Sequence, residues 1–211
     1  MIARLTAAAL AAGLALLTTG TAHAAVTLSS GHVDVIDVDW TGTALTLDLV
    51  DATASPAVDR DPSTVTLNAV SASKSTVPSG SAYSFLGAPG STFWVLPQNQ
   101  VSGILWPGFN TSGVPSGVLL NNSVSLKLVS VTGPADFSVY TTGFGGSVTV
   151  WFDSGNGLPD SRTLAINSHA HANWAFEAAG TYTAVFEVTA TKAAGGAVTT
   201  GQKSYTFTVQ P

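Results

Sequence analysis

What most restricts the fold of this chain is a two-residue rhythm of apolar side chains, interrupted at short intervals by Gly, Pro, Ser and Asn. In "TALTLDLV" Leu45, Leu47 and Leu49 share a face, and in "SVSLKLVSV" Val124, Leu126 and Leu128 do. "SVTVWF" offers Val148, Val150 and Phe152, "YTAVFEVTA" offers Tyr182, Ala184, Phe186 and Val188, and "YTFTV" offers Tyr205, Phe207 and Val209. Successive side chains of a strand point to opposite faces, so each segment has one face fit for a core and one fit for water. Helical spacing is nearly absent. At strand lengths of about 5 to 6 residues the rhythm predicts roughly ten to twelve strands in two packed, mostly antiparallel sheets. The expected fold is an all-β, immunoglobulin-like β-sandwich. Gly180 two residues before Tyr182, at the head of a long strand, has the form of a tyrosine corner and makes the part from about residue 122 the more immunoglobulin-like. Neither an internal repeat nor a linker divides residues 25–211, which are read as a single sandwich unit.

The first residues, "MIARLTAAALAAGLALLTTGTAHA", combine an early arginine, an apolar run and small residues at Ala22 and Ala24. That is the layout of a secretory signal peptide spanning 1–24. The apolar run is shorter than the roughly 20 residues that span a bilayer. No later run is longer, so no transmembrane segment is expected in the mature chain. Cysteine is absent, which removes disulfides and acylated anchors. Seven Lys and Arg against twelve Asp and Glu give a net charge of −5 with no basic cluster, which disfavours nucleic acid and anionic lipid as partners.

Discarding His23 with the leader leaves three histidines, His32 in "GHVDV" and His169 and His171 in "SHAHANW". On an extended chain His169, His171 and Asn173 point one way, and Trp174 and Phe176 point into the core. By the same rule His32 and Asp34 share a face. Two imidazoles at i and i+2 on a strand can share one ion, with a third ligand from a distant strand. Three imidazoles plus a carboxylate or water suit Zn²⁺, with Cu²⁺ as the alternative, because soft sulfur ligands are missing. His32, His169 and His171 are the candidate ligands. Asp34 is either a fourth ligand or a partner for the outer nitrogen of one imidazole. The plainer alternative is that the histidines only hydrogen-bond across strands. Asp34, Asp37 and Asp39 also raise the question of Ca²⁺. Strict alternation turns Asp34 away from the other two, and it leaves Asp37 and Asp39 as the solvated side of an edge strand. "DSGNGLPD", Asp153 to Asp160, reads as a hairpin turn. The aromatics Phe93, Trp94, Trp106 and Phe109 suit core packing better than a sugar-stacking platform. With neither a cysteine nor a G-x-S-x-G elbow there is no evident catalytic constellation.

"SHAHANWAFEAAGTYTAVFEVTAT" resembles the actinobacterial surface-anchored protein domain, also called the choice-of-anchor M domain, whose hallmark is H-x-H-x-x-W-x-F followed by G-x-Y. "GHVDVIDVDW" is similar to the family's opening, "FLGAPGSTFWVLPQNQVSGILWPGF" to its middle and "VTGPADFSVY" to the segment before the histidines. The resemblance implies a secreted, extracellular or cell-surface-associated actinobacterial protein. As partner it implies a metal-uptake ABC transporter or another envelope protein. Members often end in a sorting signal or membrane anchor, which the ending "YTFTVQP" does not match. Three functions follow as expectations: a metal capture or handover protein, a structural or adhesive module without metal, and a metal-dependent hydrolase.

Overall fold

The computed structural model describes residues 26–211; the expected leader, 1–24, lies outside the described residues. The strands are β1 (Val26–Leu28), β2 (Gly31–Trp40), β3 (Leu45–Asp51), β4 (Val58–Arg60), β5 (Val65–Ala69), β6 (Lys74–Thr76), β7 (Thr92–Leu96) and β8 (Leu105–Gly113). They continue as β9 (Ser123–Thr132), β10 (Phe137–Thr142), β11 (Val148–Asp153), β12 (Asp160–Ala165), β13 (His169–His171), β14 (Asn173–Phe176), β15 (Gly180–Thr191) and β16 (Ala197–Val209). Among the described residues the only helical elements are short 3₁₀ turns, so the fold is all-β as the rhythm predicts. None of these helices is long and apolar enough to cross a membrane.

Three sheets form where the rhythm alone suggests two. A six-stranded sheet runs β1-β5-β16-β15-β9-β12, and two five-stranded sheets run β11-β10-β14-β7-β6 and β13-β8-β2-β3-β4. Each sheet takes strands from both sides of residue 122. The extra sheet arises because two apolar stretches change layer midway. After Leu96 the chain turns through Pro97 to Gly103, so β7 joins the second sheet and β8 the third. At Ala172 the stretch "SHAHANWAF" does the same, leaving β13 on β8 and β14 between β10 and β7. The Asp153–Asp160 loop likewise crosses from the second sheet to the first, so it does not close a hairpin. Within it the Asp153 carboxylate accepts from the Gly155 N–H at 2.9 Å, and Asp160 Oδ2 accepts from the Asp153 N–H at 2.7 Å.

Most of the rhythm settles where it points. Leu45, Leu47 and Leu49, and Tyr182, Ala184, Phe186 and Val188, are buried. Val150 is the exception, 40 % exposed on edge strand β11. A register shift there pairs Val139 with Phe152 and the next residue, Tyr140, with Val150. The Tyr182 hydroxyl donates to the Ala178 carbonyl at 3.0 Å and accepts its N–H at 3.1 Å, the local closure expected of a tyrosine corner. Phe93, Trp94 and Phe109 are buried.

β5 pairs in parallel with both β1 and β16, so β5 lies beside the last strand of the chain, and its Asn68 meets Thr208 from 140 positions away. Ser71 Oγ donates to the Pro211 carbonyl at 2.8 Å across the same interval.

Trp174 ties the three sheets together. It is fully buried, and its ring centre lies 5.1 Å from Phe109 of the third sheet, 5.9 Å from Phe137 of the second, and 6.0 and 5.7 Å from Phe186 and Phe207 of the first. Among the described residues its Nε1–H has no partner, so the side chain is held by ring packing. Trp174→Ala is expected to lower unfolding free energy by about 3–5 kcal/mol in denaturant titration. Trp174→Phe, which keeps a ring and discards the unpartnered donor, should cost distinctly less.

Candidate metal centre

β2 is a central strand, flanked by β8 in parallel and β3 antiparallel. It also contains one extra residue. Against β3 the register runs Asp34↔Val50, then Asp37↔Asp48 and Asp39↔Thr46; against β8 it runs Asp34↔Gly108, Asp37↔Asn110 and Asp39↔Gly113. Val50, Asp48 and Thr46 alternate along one face of β3, so the bulge brings Asp34, Asp37 and Asp39 onto a single face as well. Both parts of the edge-strand expectation are thereby corrected: Asp34 does not face away from the other two, and Asp37 is buried, 4 % exposed.

His32 stands at the head of that face, in register with Trp106, while His171 and His169 of β13 are in register with Gly108 and Asn110. β8 therefore lies between the two histidine-bearing strands, and its middle residue on this face has no side chain. A Cβ on Gly108 would overlap the Asp34 carboxylate and come within 3.1 Å of both His169 Nε2 and His171 Cε1. The rings converge in the space this glycine leaves. Their centres are 5.1 Å apart for His32 and His169, 5.1 Å for His32 and His171, and 4.9 Å for His169 and His171. One ligand nitrogen from each lies within 4.8 Å of the others. Tetrahedral Zn²⁺ with bonds of about 2.0–2.1 Å would hold three imidazole nitrogens about 3.4 Å apart and their ring centres about 5 Å apart. The ring spacing matches that arrangement.

Asp34 Oδ1 lies 2.6 Å from His169 Nε2 and 3.3 Å from His32 Nε2, the latter outside hydrogen-bond geometry. Its carboxylate thus sits on the inner side of the cluster, where a fourth ligand belongs. The outer nitrogen of an imidazole is held elsewhere: His171 Nδ1 donates to the Pro107 carbonyl at 2.9 Å, which leaves Nε2 as an acceptor. His171 Nε2 and His32 Nε2 are both buried, and among the described residues neither has a hydrogen-bond partner. Burial holds the His171 imidazole below its ordinary pKa, with the neighbouring His169 and His32 acting in the same sense against the opposing Pro107 carbonyl and Asp34. Its ring is therefore kept neutral, the form that ligates metal. The donor set is all imidazole and carboxylate, and His32, His169 and His171 could hold a metal ion. Access is from the His169 side, whose side chain is 42 % exposed against 24 % for His32 and 10 % for Asp34.

Sequence reasoning missed Trp106, Pro107 and Gly108. Trp106 belongs to the site, stacked on His171, whereas the three aromatics grouped with it are core. A glycine directly after "WP" in a strand is the available signal, since strand glycine often marks close approach of another group.

Comparison with protein-family models, with curated proteins and with solved structures found no match to this chain.

The neighbouring carboxylates carry a distinct stability signature. Burial, then Asp39 and Asp34, push the Asp37 carboxyl up to about 7 against the hydrogen bond from Asn110. A carboxyl that binds its proton more tightly when folded weakens the fold as it ionises, so the cost is absent below about pH 4, grows with pH and is complete above about 7. Each tenfold change in proton affinity is worth about 1.4 kcal/mol. Asp37→Asn should therefore raise the melting temperature at pH 8, by the equivalent of a few kcal/mol, and change it little at pH 4. Thermal unfolding at the two pH values checks this.

Proposed function

We propose that this chain is an exported envelope protein that captures a divalent transition metal, Zn²⁺ with Cu²⁺ as the alternative, for handover at the cell surface. His32, His169 and His171 are the nitrogen ligands and Asp34 completes the set. The observation that carries this reading is the pair of buried, unpartnered nitrogens, His32 Nε2 and His171 Nε2, grouped with His169 over a glycine. Leaving a buried polar atom without a partner costs about 1–3 kcal/mol, and two such atoms side by side are what a bound cation would satisfy. The exposed edge of His169 supports exchange with a second protein over permanent structural retention. From the resemblance to the choice-of-anchor M domain we extend the proposal to the partner, a metal-uptake ABC transporter or another envelope protein.

Calorimetry on the mature chain at pH 7.5 should give Zn²⁺ or Cu²⁺ binding near one equivalent, lost in the His169→Ala, His171→Ala double variant. Because protons compete with metal for the imidazoles, affinity should fall as the solution is made acidic. Heat no greater than the buffer control for both metals would overturn the reading. A melting temperature indifferent to metal and chelator would point to the structural alternative.

A further inference from the structure

Trp106 lies flat on the His171 ring, with centroids 3.7 Å apart and planes 7° apart. The same indole is 5.0 Å from the His32 ring, which it faces across the β2–β8 ladder. Its own orientation is fixed from behind. Trp106 Nε1–H donates to the Gln98 carbonyl at 2.9 Å, the Gln98 N–H donates to Asn173 Oδ1 at 2.9 Å, and Gln98 Oε1 accepts the Thr142 N–H at 2.8 Å. The indole therefore cannot swing off the imidazole without breaking a bond to a segment that is itself tied to β14 and β10. The next residue of β8, Pro107, supplies the carbonyl that takes the His171 Nδ1–H. Two consecutive residues thus set the plane and the tautomer of one ring, while the His169 side chain, 42 % exposed, is held only by Asp34.

We propose that Trp106 is a positioning residue: it holds His171 with Nδ1 protonated and Nε2 turned into the imidazole triangle, so that the metal affinity of the site depends on an indole that is not a ligand. The proposal rests on the metal-capture reading above. Outer partners that orient a ligating imidazole are worth about 10- to 100-fold in metal affinity. Stacking adds a restraint that a hydrogen bond alone lacks, because rotation about the Nδ1–H···O axis is blocked by the indole face.

The test uses wild type, Trp106→Phe, Trp106→Leu and Trp106→Ala, each checked for folding by circular dichroism. Zn²⁺ affinity is measured against a chromogenic chelator, and the His171 tautomer is read by ¹H–¹⁵N NMR in metal-free protein. Trp106→Phe keeps a flat ring and should stay within about threefold of wild type, whereas Trp106→Leu and Trp106→Ala should weaken Zn²⁺ binding about 10- to 100-fold. In the metal-free Leu and Ala variants the His171 signals should move from a single Nδ1–H tautomer to an average of the two. Trp106→Leu binding Zn²⁺ as tightly as Trp106→Phe, or keeping the single tautomer, would overturn the proposal even if Trp106→Ala fails to fold. Should wild type bind neither Zn²⁺ nor Cu²⁺, the metal-capture reading falls, and the NMR comparison alone still decides whether the indole sets the ring.

Discussion

The parallel ladder between β2 and β8, with one residue too many on β2, is the constraint on which the site depends. The ladder brings residues near position 32 beside residues near position 106, and the extra residue resets which side chains face outward. Before the shift His32 and Asp34 lie beside Trp106 and Gly108; after it Asp37 lies beside Asn110, and a second shift, this time with the extra residue on β8, sets Asp39 beside Gly113. On the opposite face Ile36 meets Phe109 and Val38 meets Leu47, all four of them in the core. A regular strand would have to send either the late carboxylates or the late aliphatics to the wrong side. The bulge gives both sets their proper surroundings. The two glycines of β8 belong to the same arrangement, since a Cβ on Gly108 would collide with the Asp34 carboxylate and one on Gly113 with that of Asp39.

The electrostatics of this face follow from who is missing. Asp51 at the end of β3 is pushed up by burial, but hydrogen bonds from Thr53 and Arg60 overcome that and hold it below the usual carboxylate range. Its Oδ2 takes two guanidinium hydrogen bonds, at 3.0 and 2.9 Å. Asp37 has only the Asn110 amide, at 2.7 Å, and other carboxylates beside it. Asp34 is hydrogen-bonded to His169, with His32 Nε2 3.3 Å away. Among the described residues none of Asp34, Asp37 and Asp39 forms an ion pair with a lysine or arginine.

Much of the fold was legible because burial on one face writes itself into the sequence at every second position. Leu45 to Leu49 and Tyr182 to Val188 could be assigned to the core without knowing their neighbours. Partners are another matter. The rhythm is the same whether a strand pairs in parallel or antiparallel, so it could not announce that β8 would lie between β2 and β13, or that "SHAHANWAF" would leave one sheet at Ala172 and enter another. Strict alternation also failed where an inserted residue broke it, and that failure turned Asp37 and Asp39 from apparent edge residues into part of a row on a central strand, with Asp37 buried and Asp39 half-buried. The three histidines and Asp34 could be singled out because imidazole is scarce in this chain and falls in two short motifs. Trp106 could not, because an indole in an apolar run looks like core until the ring it covers is known.

The parallel seam of β5 with β16 bears on how the chain reaches this structure. Until β16 has been made, β5 and β15 each present a bare edge, and the Asn68 side chain waits for Thr208 to arrive 140 residues later. Long-range pairing of this kind makes folding slow, because the loop must close before the contacts within it repay the lost entropy. Exposed edges in the meantime are templates for pairing with other chains. For this topology the six-stranded sheet is complete only when the final strand is in place between β5 and β15.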